Sequence, residues 1–286
     1  MSSESSIYLL NHGTQGHERA RLDKQHYSWL QLTEGRLIPP NIEKHLASLG
    51  RDIAIADAGT GSGIWLTSLA SSLPPTARLD GYDFDSSKFP DRSELPANVN
   101  LLFGDVFQPF PAELAGLYDV VHVRALTYVL KADQWLSVTK NLLSLVRPGG
   151  YLMWEDTGYT SWQCVPMTES FAKLLGTDAR YAKSVGRDLT APLPFKGYFE
   201  QAGLINCTRE EFSTYSLPKD LQKAAGLVVP DGVGKALQGV AKSGGLEWAQ
   251  SEEDVEVVMD EIRADINNGV VQVGYSFHWT VGQRPE

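Results

Sequence analysis

The chain has 286 residues, a formal net charge of -10, and an apolar share of 42%. That share supports a buried core and excludes a mostly disordered chain, while the acidic balance argues against nucleic acid as a partner, whose recognition needs clustered Lys and Arg. The two cysteines, Cys164 and Cys207, show neither metal-ligand spacing nor a disulfide pattern and point to a reducing, cytosolic setting. Residues 1–6 carry no secretory signal, and no apolar run approaches the roughly 20 residues of a bilayer span.

Residues 7–49 read as helix in two pieces, broken near Gly35 and Pro39-Pro40. Short apolar runs then alternate with helical patterns: strands at 53–56, 77–84, 99–103, 118–123 and 151–154, with helices at 63–73 and 133–146. Near-continuous apolar strands are those covered on both faces, and their alternation with helices predicts a doubly wound α/β sheet. Residues 157–197 are rich in Gly, Pro and aromatics and interrupt the pattern. A strand at 207–215, a Gly-rich helical insert, a helix at 251–267 and a last strand at 270–281 complete the chain. The expected organisation is an N-terminal helical cap over residues 1–50 on a sheet domain over 51–286, with lid-like insertions near 157–197 and 216–268.

The most informative segment is Asp57-Ala-Gly-Thr-Gly-Ser-Gly63, between a strand and a helix. Glycines let the backbone approach a ligand closely, and a helix start offers unpaired N–H groups to an anionic group. The dinucleotide fingerprint needs a glycine at the sixth position, where Ile64 or Leu66 stands instead, depending on which glycine is counted first. No lysine follows the loop, so a Lys-Ser/Thr phosphate loop is absent as well. Asp83 ends the second strand, where a carboxylate accepts the hydroxyls of a ribose, with Asp85 close by. Asp105, in Gly104-Asp105-Val106 after the third strand, suits an exocyclic amine. Three acids at the carboxyl ends of successive strands surround one glycine loop, the edge at which open α/β sheets bind ligands.

With these motifs the chain resembles the class I methyltransferases that bind S-adenosylmethionine. The segments Glu18-Arg-Ala-Arg-Leu-Asp-Lys-Gln-His26, Tyr118-Asp-Val-Val-His-Val-Arg124 and Val146-Arg-Pro-Gly-Gly-Tyr-Leu-Met-Trp-Glu155 are similar to a fungal branch of that family. That branch includes tailoring enzymes of secondary metabolism and a regulator. The resemblance is strongest over residues 18–156 and weak beyond them, apart from Trp279-Thr-Val-Gly282. It implies a Rossmann-like sheet of seven strands with the last antiparallel, and cofactor contacts from Gly59, Gly61, Gly63, Asp83 and Asp105. Asp57, Val106 and Arg124 join this expected cofactor set.

Methyl transfer asks the protein chiefly to align nucleophile, carbon and sulfur, so its catalytic signature is faint. His26, on the N-terminal helix, and Glu155 are the candidate bases; Glu155 and Asp156 end the fifth strand and are expected to face the same edge, so that either could serve as base or as hydrogen-bond acceptor for the substrate. Arg124 is a candidate for orienting the methionine end of the cofactor. On the N-terminal helix Arg21, Gln25 and Trp29 recur at helical spacing, as do Leu22, His26 and Leu30, giving adjacent polar and apolar stripes. Trp154, Tyr159, Trp162 and Phe171 offer an apolar wall for an aromatic or polyketide-like acceptor. No His and acid cluster suggests a metal. The expectation is methylation of oxygen or nitrogen on a small secondary metabolite. Two alternatives stay open: a cofactor-retaining pericyclase or isomerase, and a non-catalytic regulatory protein.

Overall fold

The computed structural model describes residues 15–158, 161–190 and 194–286. Two helices, α1 (Gln15–Leu32) and α2 (Pro40–Ser48), precede the sheet. Pro40 opens α2, where its missing N–H costs nothing. The alternating part follows as β1 (Ala54–Ala58), α3 (Ile64–Ala70), β2 (Arg78–Asp83), β3 (Val99–Phe103), β4 (Tyr118–Arg124), α4 (Trp135–Leu145) and β5 (Val146–Asp156). Next come β6 (Trp162–Val165), α5 (Glu169–Ser184), α6 (Phe195–Ala202) and β7 (Ile205–Ser213). The chain ends through α7 (Lys219–Gly226), α8 (Val228–Lys242), α9 (Glu252–Asn267) and β8 (Gln272–Gln283).

The strand order is β3-β2-β1-β4-β5-β8-β6, with β7 also pairing with β8. β1 to β5 run parallel, and β8 runs antiparallel to β5, β6 and β7. The expected doubly wound sheet is therefore present, with an antiparallel last strand. It holds eight strands among the described residues, where seven are expected. The extra one, β6, pairs with the first residues of β8, which extend past the end of β5. Residues 157–197, read as an interruption of the pattern, contain this strand and the whole of α5. Thr168 caps α5 by accepting from Phe171 N (3.4 Å).

Successive strand residues point to opposite faces, and each face has its own core. Ile55, Leu79, Val120 and Met153 pack on one side with α1, α2, α3 and the helices of the later half. Ala56, Val121, Val123 and Trp154 pack on the other against Trp135 of α4 and Phe195 and Phe199 of α6. α8 and α9 cross so closely that a Cβ on Gly234 would meet Met259 Sδ at 1.9 Å. Chain order reverses between β1 and β4, and the crevice at that switch point is where such sheets place their ligands.

Asp119, at the start of β4, ties the opposite end of the sheet together. Its buried carboxylate accepts from Ala54 N (2.9 Å), from Arg147 Nη1 (2.8 Å) and from both terminal nitrogens of Arg51. Asp119→Ala should leave Ala54 N without an acceptor inside the sheet while the two partly exposed arginines resolvate. The expected loss is about 1–3 kcal/mol, read as a lower urea midpoint at unchanged slope.

Candidate functional site

The turn after β1 is held from both sides. Gly59 N and Thr60 N donate to Tyr82 O at 2.7 and 3.0 Å. Gly61 N donates to Asp83 Oδ2 at 2.8 Å, and Asp83 Oδ1 accepts from Asp85 N at 2.9 Å. Below the turn Asp57 Oδ2 accepts from Thr60 Oγ1 (2.7 Å) and Oδ1 accepts from His122 Nδ1 (2.7 Å). Gly59, Gly61 and Gly63 all take positive φ, 71°, 59° and 75°, which side-chain-bearing residues adopt at a cost. A Cβ on Gly63 would also press on Leu101 at 2.9 Å, so this glycine serves helix–strand packing.

This turn forms one wall of a cleft of about 1390 Å³, its open mouth included. Gly59 to Ser62, Asp83, Phe84 and Lys88 line one end, with Gly104, Val106 and Phe107 beside them. Arg124 to Val129, Asp156, Thr157 and Trp162 line the sheet side of the other. Arg21, Leu22, Gln25 and Trp29 of α1 cover the cleft, and Val228, Val229, Gly232 and Tyr275 close it. The polar stripe of α1 thus faces the cleft. Ser62 Oγ donates to Asp23 Oδ1 (2.8 Å), fastening α1 to the turn.

Not every candidate residue reaches the cleft. Asp57 and Gly63 lie beneath its floor, and Asp105, between lining residues Gly104 and Val106, accepts from Phe107 N at 2.9 Å. His26 is 1% exposed and faces away from the cleft, against Ser68 and Arg124. Arg124 has only donors, so at 3.0 Å it fixes His26 Nδ1 as acceptor, and Nε2–H then donates to Ser68 Oγ at 2.9 Å. Burial, reinforced by the nearby charges of Arg124 and His122, pushes His26 down to about 3. Its proton-accepting nitrogen is already occupied, so it holds Arg124 in place and has no free position from which to meet an acceptor.

Glu155 and Asp156 do not face the same way, because strand neighbours alternate. Asp156 lines the cleft, whereas Glu155 turns to the opposite face with His122, whose Nε2 lies 3.4 Å from Glu155 Oε2. Asp156 is itself engaged: Oδ2 accepts from Leu126 N (2.9 Å) and Trp154 Nε1 (3.2 Å), Oδ1 from Thr127 Oγ1 (2.6 Å) and Thr157 N (2.9 Å). Burial raises its pKa to about 6, with those four donors working in the other direction.

The aromatic wall differs from the expected one. Trp162 lines the cleft and stacks with Tyr128 at 6.0 Å. Trp154 packs with Trp135 and Phe195, Phe171 lies in the core of the opposite face, and Tyr159 falls outside the described residues. The sequence leaves Tyr128, Tyr275 and Lys88 unmarked. Tyr128 donates its hydroxyl to Asp178 Oδ2 (2.9 Å), and burial pushes Asp178 up to about 7. Tyr128 lies only four residues past Arg124, and distance from that strand end is the one signal that marks it. Asp178 and Tyr275 arrive from α5 and β8 through tertiary packing alone.

A family model described as a methyltransferase domain matches residues 29–206. The methyltransferase grgD of a Penicillium species is 31% identical over 227 residues, covering 77% of this chain and 76% of that one. The N-methyltransferase verN of Clonostachys rogersoniana is 22% identical over 293 residues, covering 100% of this chain and 96% of its own length. Among solved structures, phosphoethanolamine N-methyltransferase 2 of Haemonchus contortus in complex with S-adenosyl-L-methionine aligns with a TM-score of 0.51 and 14% identity. The alignment covers 92% of this chain and 57% of that one, a likeness of fold.

His26 gives a pH prediction. Its folded pKa lies below that of a solvated histidine, so its contribution to stability is present above about pH 6.5 and is lost on acidification toward 3. Between pH 7 and pH 5 this amounts to about 2 kcal/mol. His26→Gln should flatten that part of the dependence, compared by urea titration of both proteins at the two pH values.

Proposed function

We propose that this chain, which belongs to the methyltransferase-domain family and takes its methyl group from S-adenosylmethionine, methylates a nitrogen on a small aromatic metabolite. The observation that carries the reading is the division of the cleft. One end is a turn of backbone N–H groups, carboxylates and Lys88, and the other is an aromatic and aliphatic chamber around Tyr128, Trp162, Tyr275 and Val229. The first end suits the cofactor: Gly59, Gly61 and Val106 would pack against it, Asp83 would accept from its ribose, and Asp105 lies where an adenine amine would sit. Arg124 stands where the carboxylate of the methionine moiety would lie. Asp57 and Gly63 would act from below, by shaping the turn.

The chamber favours nitrogen over oxygen. Both carboxylates that line the cleft among the described residues, Asp83 and Asp156, are already engaged by donors. An amine attacks as a neutral nucleophile and sheds its proton after transfer, so it needs alignment more than a strong base. The relative verN, named an N-methyltransferase, supports this choice. Tyr128, steadied by Asp178 and stacked on Trp162, would orient the acceptor, and its hydroxyl oxygen would accept from the amine. His26 and Glu155 would act through Arg124 and His122 and not on the acceptor. Closure by α1 over the cleft would exclude water. The reading includes a cytosolic setting, which free thiols at Cys164 and Cys207 suit, and no nucleic-acid partner. No helix among the described residues is long and apolar enough to cross a membrane.

Incubation with methyl-labelled cofactor and a metabolite extract should yield a labelled N-methyl aromatic product; label on oxygen or carbon would overturn the choice of nitrogen. Asp83→Ala should weaken S-adenosylhomocysteine binding by about 1–3 kcal/mol. Asp85→Ala should do far less, because that side chain caps the next turn at Ser87. With the acceptor in hand, Tyr128→Phe should lower turnover about tenfold and leave cofactor affinity unchanged. Calorimetry and steady-state kinetics on the three variants separate the two ends of the cleft.

A further inference from the structure

His122 is fully buried on β4, its ring stacked on Trp65 of α3 at 3.7 Å and 6°. Its Nδ1 meets Asp57 of β1 at 2.7 Å, and its Nε2 faces Glu155 of β5 at 3.4 Å, an ion-pair contact without hydrogen-bond alignment. Asp57, Glu155 and His122 are all within 5% exposure. Two further groups stand close: Arg124, two residues on along the same face of β4, and His26 of α1, whose Nδ1 it holds. Arg36 borders the small void that Glu155 shares with Arg124 and His26, and it is drawn outward to Glu210 at 3.3 Å.

With both carboxylates ionised, the charges balance when His122 is positive. Two carboxylates stand against Arg124, and His26 is neutral because its acceptor nitrogen takes the arginine proton donor. A neutral His122 would leave one buried negative charge uncompensated and turn a lone pair toward Glu155, a costly arrangement. As an imidazolium it completes two pairs of opposite charges. The carboxylates of Glu155 and Asp57 outweigh the opposing effect of burial and raise the His122 pKa.

We infer that His122 is a positioning residue for the cofactor turn: its positive charge holds Asp57 against Thr60 and Glu155 against the end of β4, and the grip on S-adenosylmethionine weakens when that charge is removed. The inference rests on the reading that this turn binds the cofactor. Thr60 lines the cleft and depends on Asp57 for its hydroxyl partner. Ala125, which follows Arg124 into the cleft, donates its N–H to Glu155 O at 2.9 Å and sits at a φ of 57°. The Asp57 arm thus ends on a side chain of the cleft wall, and the Glu155 arm on the residue whose main-chain carbonyl anchors Ala125; loosening them removes preorganisation that binding would have to restore.

The test is calorimetric binding of S-adenosylhomocysteine at pH 7, with thermal unfolding of each variant measured alongside. His122→Asn removes the charge and should bind roughly tenfold more weakly. Adding Glu155→Gln removes the surplus negative charge, so the double variant should recover most of that loss, an outcome that simple loss of packing would not give. If His122→Asn does not fold, histidine-selective ¹⁵N spectra of the unmutated protein decide the matter. The His122 signal should be that of an imidazolium at pH 7, and its titration midpoint should move up by about one unit for each tenfold of coupling when S-adenosylhomocysteine is bound. A neutral His122 at pH 7, wild-type affinity in His122→Asn, or a double variant no better than the single one would overturn the inference. Failure of the unmutated protein to bind S-adenosylhomocysteine would instead overturn the assignment of the turn, and this inference with it.

Discussion

An ionised carboxylate inside a protein must be paired, and Asp57 lies under the glycine turn at 1% exposure. Its two oxygens go to Thr60 and His122, so one side chain fixes the turn above it and reaches across to β4. Asp83 does the complementary work from the neighbouring strand by accepting from Gly61 N. The turn is therefore suspended between two carboxylates on adjacent strands. Its glycines take left-handed conformations that this suspension imposes, and the ends of β1, β2, β4 and β5 are tied into one rigid edge. Each later feature of the cleft is built on that edge.

The same alternation that makes the sheet also divides its labour. Along β4 and β5, residues of one parity gather beneath α1 and α3, where His122, Arg124 and Glu155 form a charged cluster. Residues of the other parity gather above α4 and α6, where Asp156 follows Trp154. Asp156 then braces the segment after β4 by accepting from Leu126 N and Thr127 Oγ1, and that segment carries Tyr128 to the cleft. Two adjacent acids of similar appearance thus serve opposite faces. Neither is a free base, which fits a reaction in which alignment carries most of the burden.

The cleft has walls of different origin. The end proposed for the cofactor is local: a strand, a turn and the ends of two neighbouring strands. The end proposed for the acceptor is assembled from far apart in the chain, with α1, the segment after β4, α8 and β8 all contributing. α1 joins both ends, because its Arg21, Gln25 and Trp29 stripe faces the cleft while His26, on the adjacent stripe, secures Arg124 from behind. A helix that carries part of the wall is suited to admitting an acceptor and then excluding water from it.

By itself the sequence determined the alternating architecture, the place of the turn and the acids around it, because these depend on period-two and helical spacing and on residues close in the chain. It also marked the inward face of α1, since residues four apart share a side of a helix. The opposite facing of Glu155 and Asp156 was present in the strand parity, although both acids look alike at a strand end. Only the tertiary structure decided that Tyr128 meets Asp178, that Tyr275 closes the chamber, and that β6 adds a strand beside the extended start of β8. Those contacts join segments separated by long stretches of chain, and no local spacing encodes them. Tertiary structure likewise decided that His26 is pushed toward its neutral form and His122 toward its charged one, because the titration of a buried histidine follows from which neighbours the fold brings to its two nitrogens.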